Sequence, residues 1–555
     1  MGKEKKEKSK TKSKFLGIKI LAVVLLLLAA FIYYYITLPA INIHSVGFWW
    51  FIISAVLIIT TVGIIVKAVK GKKKNIEIII ADSPNTIGLW KYGYYLALLL
   101  GVIFFVGTFL GSPVINAKKY QSLLDVETRE FTEDITQVDY DTIPLLDRAS
   151  ASLLGDRKMG SMVEMVSQFE VADDYTQINY QGKPVRVTPL EYASPIKWLT
   201  NQSDGIPAYM LIDMATQDTE CVKLTEGIKY SKSEYFNRNI YRHLRFKYPT
   251  AIFADQIFFE IDEEGIPYWI CPIKKFNVGL FGGETVDSVV ICNAVNGECT
   301  KYDVGQVPQW VDKVYQAELL MELYDYSGIY KHGFFNSVLG QKDCLQTTNG
   351  YNYIALEDDV WVYSGVTSVN GDQSNVGFVL MNQRTMETRF YQIEGAIEDS
   401  AMASAEGQVQ NLGYQATFPL LLNIADEPTY FMALKDESGL VKKYAMVNIE
   451  KYQWVAIGDT VKECEKEYSE LLNVNGIAAT ETGSSETITG KLQASASVVI
   501  EGNTHFYLTI EGRNEIFDVD ITNPNVLNIV KYNPGDTITI TYMAGDNLLT
   551  VTEVK

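Results

Sequence analysis

Residues 89–110 read Leu-Trp-Lys-Tyr-Gly-Tyr-Tyr-Leu-Ala-Leu-Leu-Leu-Gly-Val-Ile-Phe-Phe-Val-Gly-Thr-Phe-Leu, an almost unbroken apolar run. A helix needs about 20 such residues to cross the hydrocarbon core of a bilayer. Two further apolar runs precede it, at residues 15–37 and 46–66, with tyrosine and tryptophan crowded near their ends. Aromatic residues in these positions are typical of the headgroup level. The sequence therefore predicts three transmembrane helices within residues 15–110.

The lysines predict how these helices are oriented. Seven lysines lie in residues 1–14 and six in residues 67–91, whereas residues 38–45 contain none. Because positively charged loops stay in the cytoplasm, we expect the N-terminus and the 67–91 loop to be cytoplasmic. Everything after residue 110 is then extracytoplasmic, on the outer face of the plasma membrane. If the first run is instead a cleaved signal peptide, the later topology is unchanged.

The charge is divided unevenly along the chain. Residues 1–110 hold 14 lysines against four acidic residues, a net charge of +10, and the whole chain carries −19. The remainder therefore carries −29. A domain this acidic lacks the cations that replace the counterions of phosphate, so nucleic acid is not an expected partner. The expected partners are the lipid bilayer, an envelope or membrane protein, and a second copy of the same chain.

The predicted fold class is a membrane-anchored α+β protein with repeated strand-hairpin/helix modules and a C-terminal β-barrel. The predicted parts are a Lys-rich tail (1–14), three transmembrane helices (15–110), a juxtamembrane polar and helical region (111–200), two pairs of α+β modules (201–335 and 336–472), a linker (473–486) and a barrel (487–555).

A short pattern marks the modules. Asp204-Gly-Ile-Pro and Glu264-Gly-Ile-Pro each lead into a run of alternating aromatic and aliphatic residues, and Asp426-Glu-Pro and Glu357-Asp-Asp are relatives. Each lead predicts a strand, a turn, a second strand and a covering helix. In outline the unit resembles the PepSY-type and cystatin-like modules of secreted bacterial proteins. That resemblance implies binding or inhibition of a partner and assigns no site residue.

The last segment alternates apolar and polar residues in five runs, with a short helical stretch between the third and fourth. This arrangement resembles an OB-fold barrel. Oligonucleotide-binding barrels need cationic grooves and stacking aromatics, but residues 487–555 have four basic residues against eight acidic ones. We therefore expect a structural or protein-binding barrel.

One cationic segment stands out in the acidic part of the chain. Arg238, Arg242, Arg245 and Lys247 fall within ten residues, interleaved with aromatic residues. On one helix the three arginines would share a face. They could bind an anionic envelope polymer or an acidic surface of a second copy, or they could simply pair with nearby acids.

The search for chemistry finds little. The four histidines are scattered, and neither a nucleophile elbow nor a phosphate-binding loop occurs. No cofactor and no metal is expected, and the chain is not expected to be an enzyme. The one weak metal candidate is a loop containing Asn370, Asp372 and Asn375, whose oxygens could hold Ca²⁺ or only form a hairpin turn.

Six cysteines are too few for a disulfide scaffold in a chain of 555 residues. Cys292 and Cys299 lie close together across an Asn-Gly turn. They either form a cross-strand disulfide or remain two unpaired strand cysteines.

Together these features predict a non-catalytic, membrane-anchored scaffold of the bacterial cell envelope that binds or assembles with partners outside the membrane. The bacterial origin is inferred from the Lys-rich tail, the sparse cysteine and a single glycosylation sequon, Asn201-Gln-Ser. The alternatives are a PepSY-like ligand-sensing or regulatory membrane protein and, third, an envelope hydrolase.

Overall fold

The chain is known from a computed structural model that describes residues 24–25, 27–71, 84–137, 143–369, 374–475, 477, 485–500, 503–513, 515–521, 523–543 and 548–555. It is a mixed α+β structure. Two segments, Val46–Ile65 and Tyr92–Leu110, are long and apolar enough to cross a membrane. The first apolar run is described only in part, as the shorter helix Leu27–Thr37. Three transmembrane helices are therefore not confirmed, whereas two candidate spans are present.

The two candidate spans lie in helices α2 (Val46–Gly71) and α3 (Pro84–Leu110), and α1 is Leu27–Thr37. The spans pack antiparallel: the rings of Trp50 and Phe104 are 6.0 Å apart. The hydroxyls of Thr61 and Tyr94, farther along each helix, are 3.2 Å apart. The N-terminal end of α2 and the C-terminal end of α3 therefore lie at the same end of the pair.

The remaining helices are short and lie between strands. They are α4 (Pro113–Gln121), α5 (Phe131–Asp134), α6 (Arg148–Gly160), α7 (Pro195–Asn201), α8 (Ile240–Lys247), α9 (Ala317–Ile329), α10 (Glu398–Gln408) and α11 (Val461–Val474). Short 3₁₀ helices occur at Phe236–Arg238, Val304–Gln306 and Pro524–Lys531, and a π-helical turn at Asn336–Gly340.

The strands form four main sheets in the larger of two units (residues 1–467) and a barrel in the smaller unit. Sheet 1 contains β2 (Phe169–Val171), β3 (Thr176–Tyr180), β4 (Lys183–Tyr192), β5 (Ile206–Asp213) and β6 (Thr219–Ile228). Sheet 2 contains β7 (Phe258–Ile261), β8 (Pro267–Val278), β9 (Gly282–Asn293) and β10 (Cys299–Asp303). Sheet 3 contains β1 (Glu127–Arg129), β11 (Leu345–Thr347), β12 (Asn352–Leu356), β13 (Asp359–Ser368), β15 (Gly377–Asn382) and β16 (Thr388–Tyr391), and β14 (Ser374–Asn375) pairs with β17 (Gly395–Ala396) beside it. Sheet 4 contains β18 (Gln415–Ala416), β19 (Leu420–Ile424), β20 (Glu427–Lys435), β21 (Val441–Asn448) and β22 (Val455–Gly458).

Each main sheet contains one antiparallel meander of four strands: β3–β6, β7–β10, the set β12, β13, β15 and β16, and β19–β22. The repeating unit is thus a four-stranded meander and not the predicted strand–turn–strand–helix. Three of the meanders open with a two-residue turn in which both residues have positive φ: Gln181-Gly182, Glu357-Asp358 and Ala425-Asp426. Such type I′ turns match the twist of the paired strands.

The first two leads of the predicted sequence repeat do not precede equivalent strands of their meanders. Asp204-Gly-Ile-Pro leads into β5, the third strand of its meander, whereas Glu264-Gly-Ile-Pro leads into β8, the second strand of the next. The true equivalent of the second lead is the Gln181-Gly182 turn, which has no acidic residue. The first meander consequently begins within 111–200, the region predicted to be polar and helical.

The sheets share cores. Sheets 1 and 2 meet around Tyr209, Phe259 and Trp269, whose neighbouring rings lie 6.1 and 5.4 Å apart. Sheets 2 and 3 are bridged by α9, where Leu320 and Leu323 are fully buried. Burying a large apolar side chain contributes about 1.5–3 kcal/mol, so these contacts hold successive meanders together.

The smaller unit, residues 468–555, contains the predicted five-stranded closed barrel, which is confirmed. Its strands are β23 (Ser485–Ile500), β24 (Asn503–Ile510), β25 (Ile516–Asp520), β26 (Thr537–Met543) and β27 (Leu548–Val554). They close in the order β23-β24-β25-β27-β26, with β25 and β27 parallel. The turn of helix at Pro524–Lys531 lies between the third and fourth strands, as predicted.

Candidate functional site

The cationic segment does not form one continuous helix: a 3₁₀ turn and a separate α-helix follow one another. Phe236 adopts a left-handed φ of +52°, and Arg238 ends a single 3₁₀ turn. Asn239 then caps α8, because its side chain accepts a hydrogen bond from the N–H of Arg242. The prediction that the three arginines share one helix face is therefore wrong for Arg238. Its guanidinium donates instead to the carbonyl of Gln202.

One face of α8 contacts the C-terminal end of the first apolar helix and the residue after it. Arg245 Nε donates to the carbonyl of Leu38 over 3.0 Å. The Arg242 guanidinium lies 4.9 Å from the centre of the Tyr35 ring, a distance at which the cation is attracted by the aromatic face. Phe246 lies between Tyr34 and Tyr35, with ring distances of 6.1 and 5.9 Å.

The loop after α8 contacts the connection between the first two apolar segments. The N–H of Ile41 donates to the carbonyl of Pro249 over 2.8 Å. The side-chain amide of Asn42 donates to the carbonyl of Thr250 over 3.1 Å. The lysine-free connection 38–45 is thus bonded directly to the sheet-bearing part of the chain.

The tip of the β8–β9 hairpin contacts the same end of the membrane helices. The ring of Phe281 lies 5.1 Å from that of Phe104 in α3. A side chain at Gly107 would collide with Leu280, and the carbonyl of Leu280 lies 2.8 Å from Nδ1 of His44.

We call these contacts the membrane junction: the 38–45 connection, α8 with its following loop, and the β8–β9 tip. Among the residues that the structure describes, Arg238, Arg242 and Arg245 have no carboxylate within salt-bridge distance. Pairing with nearby acids, one of the two sequence interpretations, is therefore not what holds them. Backbone carbonyls and aromatic rings hold them instead, and burial lowers the pKa of Arg245.

The other face of α8 lies against the cysteine pair. Cys292 and Cys299 are directly opposite on β9 and β10, and their Sγ atoms are 2.7 Å apart. Nε2 of His243 lies 2.8 Å from the carbonyl of Gly297 in the intervening turn. Lys247 Nζ lies 3.4 Å from the carbonyl of Cys299. A cross-strand disulfide between them stays a prediction.

The electrostatics of this pair are unequal. The Cys292 thiol and then His243 stabilise the Cys299 thiolate by hydrogen bonding and lower the pKa of Cys299 to about 5. The same hydrogen bond and burial raise the pKa of Cys292. The contact with Cys299 raises the pKa of His243.

The proposed calcium loop gains no support as a site. Asn375 is buried, and its side-chain amide donates to the carbonyl of Ala396 and to the Tyr430 hydroxyl. This is a role in packing β14 against sheet 4. Asn370 and Asp372 lie outside the described residues.

A buried ionic group that sequence reasoning missed lies where the first three meanders meet. The carboxylate of Glu260 accepts the N–H groups of Asp312 and Lys313 over 3.0 and 2.9 Å. Asp312 accepts the N–H of Asn179 over 2.7 Å. Burial raises the pKa of Glu260 to about 7 and lowers that of Lys313 to about 7. These residues are far apart in sequence, so no local spacing could have indicated the group.

Comparisons with known proteins add little. No family model and no curated protein matches the sequence. Among solved structures, an exo-β-1,3-galactanase from Phanerochaete chrysosporium aligns with 62% of this chain and 82% of its own at 9% identity and a TM-score of 0.16. A similarity this low carries no argument about fold or activity.

Proposed function

We propose that this chain is a non-catalytic, membrane-anchored scaffold of the bacterial cell envelope, with three transmembrane helices and the sheets and barrel outside the membrane. The lysine distribution supports this orientation. The resemblance of the C-terminal barrel to an OB-fold, whose strand order it follows, is compatible with a structural or protein-binding role. The PepSY-type resemblance gives no support, because the repeating unit is a four-stranded meander.

The membrane junction is the observation that carries the proposal. Arg245, Ile41 and Asn42 link the sheets to the connection between the first two apolar segments, and Phe281 links them to α3. A domain fixed at several points presents its surface at a set distance from the bilayer. Such pre-organisation reduces the ordering cost of binding a partner.

An exposed apolar surface, separate from the membrane junction, supports contact with the lipid itself. Phe335, Val338 and Leu339 expose 74%, 57% and 81% of their surface. Lys331 and Lys342 flank them in an otherwise acidic domain. Exposed aromatic and aliphatic side chains bordered by lysine are the pattern of segments that lie in the membrane interface.

This surface is continuous with the end of α3. The Tyr120 hydroxyl donates to the carbonyl of Gly111, the residue that follows the helix, over 2.7 Å. From the Tyr120 ring, successive ring contacts of 6.4, 6.5 and 6.0 Å run through Tyr330 and Phe334 to Phe335. The exposed surface therefore begins a few side chains from the outer end of a candidate span.

Sidedness and assembly can be tested on the full chain. Cys221 is a half-buried free thiol, so both variants are made in a Cys221→Ser background. We expect a membrane-impermeant maleimide, applied to intact cells, to label a Ser438→Cys variant above that background and to leave a Lys73→Cys variant at the background level. Light scattering of the purified protein in detergent then measures its oligomeric state, and cross-linking in membranes identifies partners. Labelling of Lys73→Cys in intact cells would reject the orientation; absence of both self-association and a cross-linked partner would reject the scaffold role.

A ligand-sensing or regulatory role is the second candidate. The β8–β9 tip lies against Gly107 and Phe104. A conformational change in sheet 2 would therefore displace the residues that contact α3. A ligand could act in this way only if it bound two arrangements of the junction with different affinity.

A further inference from the structure

The cluster formed by His243, Cys292 and Cys299 has the geometry of a metal site. One ring nitrogen of His243 and the two Sγ atoms all lie within 4.8 Å of one another. Ligands that share one zinc ion lie about 2.0–2.3 Å from it, so neighbouring ligand atoms are about 3.3–3.8 Å apart. The two Sγ atoms are 2.7 Å apart, so binding of one ion requires them to separate by about 1 Å.

The donor set selects the class of ion. Two thiolates and an imidazole are soft to borderline donors, which prefer Zn²⁺ or Cu⁺ over Ca²⁺, Mg²⁺ or Mn²⁺. Hard cations need several oxygen ligands, and the cluster supplies none from its side chains.

The cluster is built on rigid elements. Cys292 and Cys299 are buried and fixed by the register of β9 and β10. His243 is held by the Gly297 carbonyl on one side and by the ring of Tyr230, 4.6 Å away, on the other. Gly297 has a φ of +76°, and any side chain there would collide with the Tyr230 ring. The conformation of this turn therefore allows the His243 ring to lie next to the two sulfur atoms.

We infer that His243, Cys292 and Cys299 form a binding site for one thiophilic d¹⁰ ion, Zn²⁺ or Cu⁺, in the dithiol form of the protein. The ion replaces the thiol protons, which leave to solvent, and no electron transfer is involved. Oxidation of the same two sulfurs to a disulfide would remove two of the three ligands. The inference does not depend on the proposed scaffold function.

The test uses the full chain in detergent, reduced with a phosphine under anaerobic conditions so that no disulfide masks the site. Zn²⁺ and Cu⁺ are titrated separately against a competing chromophoric chelator. We expect one ion per chain, and at least a tenfold loss of affinity in Cys292→Ser and in His243→Ala. Cys464→Ser, which changes a buried cysteine on α11, is the matched control and should bind normally. The ion that binds more tightly identifies the metal.

Spectroscopy keeps the test decisive if a variant does not fold. Wild-type protein loaded with Co²⁺ or Cu⁺ should show thiolate-to-metal charge-transfer absorption. The inference is overturned if neither ion gives that absorption, or if reduced wild type binds no more metal than a folded Cys292→Ser variant.

Discussion

Replacing Arg245 with alanine should open the membrane junction without unfolding the sheets. Its guanidinium donates to the carbonyls of Leu38 and Ala251 and lies 5.7 Å from the Phe253 ring. A hydrogen bond to a charged group contributes about 1.5–3 kcal/mol, and a cation over an aromatic ring about 0.5–1 kcal/mol at an exposed site. Since Arg245 is only part-buried and water can replace some of these contacts, we expect a loss of about 2–3 kcal/mol.

Hydrogen exchange measures this loss locally. The N–H of Ile41 donates to the carbonyl of Pro249, so its exchange reports opening of the junction. A loss of about 2–3 kcal/mol corresponds to exchange about 30- to 160-fold faster in the peptide spanning residues 38–45. Arg238→Ala is the matched control, because the Arg238 guanidinium donates to the carbonyl of Gln202, away from the membrane junction. Equal exchange in Arg245→Ala and Arg238→Ala would refute the reasoning.

Three further predictions concern charge, lipid contact and helix packing. Burial raises the pKa of Asp325 to about 6 from its ordinary 3.8, so the wild type loses stability as pH rises between these two values. In urea unfolding, Asp325→Asn should be more stable than wild type by about 3 kcal/mol at pH 7.5 and equal to it near pH 4. The double variant Phe335→Ser/Leu339→Ser should lose the protection that lipid nanodiscs give residues 334–340 from proteolysis, and unchanged protection would contradict the lipid contact. Gly107→Val should lower the thermal midpoint in detergent because the hairpin tip occupies the space, whereas Gly101→Val, with nothing within 4 Å, should not.

The sequence predicted those features that depend on composition and periodicity. The apolar runs at 46–66 and 89–110 appear as candidate spans, and the alternating C-terminal runs appear as a closed five-stranded barrel. Both patterns depend on whether each residue is buried or in contact with the membrane. They can therefore be recognised without knowing which distant residues are in contact.

The repeat alignment, the partner of Arg245 and the His243 cluster could not be predicted, because they depend on contacts between residues far apart in the chain. The Gln181-Gly182 turn has no acidic residue, so a motif based on acidic leads passed over it and aligned β5 with β8. The arginine spacing predicted one helix carrying all three arginines, whereas the helix begins only at Ile240. That spacing also could not show that a carbonyl 207 residues away would be the partner of Arg245. His243 lies 49 and 56 positions before the two cysteines, so no local metal-binding pattern joins them.

The central claim is that the sheet-bearing part of the chain is seated on the connection between the first two apolar helices. The most direct measurement is oxidative cross-linking of an Asn42→Cys/Thr250→Cys variant in native membranes, followed by mass spectrometry of the linked peptides. The side-chain amide of Asn42 donates to the backbone carbonyl of Thr250 over 3.1 Å, so the two residues are neighbours and we predict that the linked peptide forms. A Thr489→Cys/Thr539→Cys pair, whose hydroxyls are 2.8 Å apart on the barrel, shows that oxidation works. Cross-linking of the barrel pair with none at the junction would contradict the account.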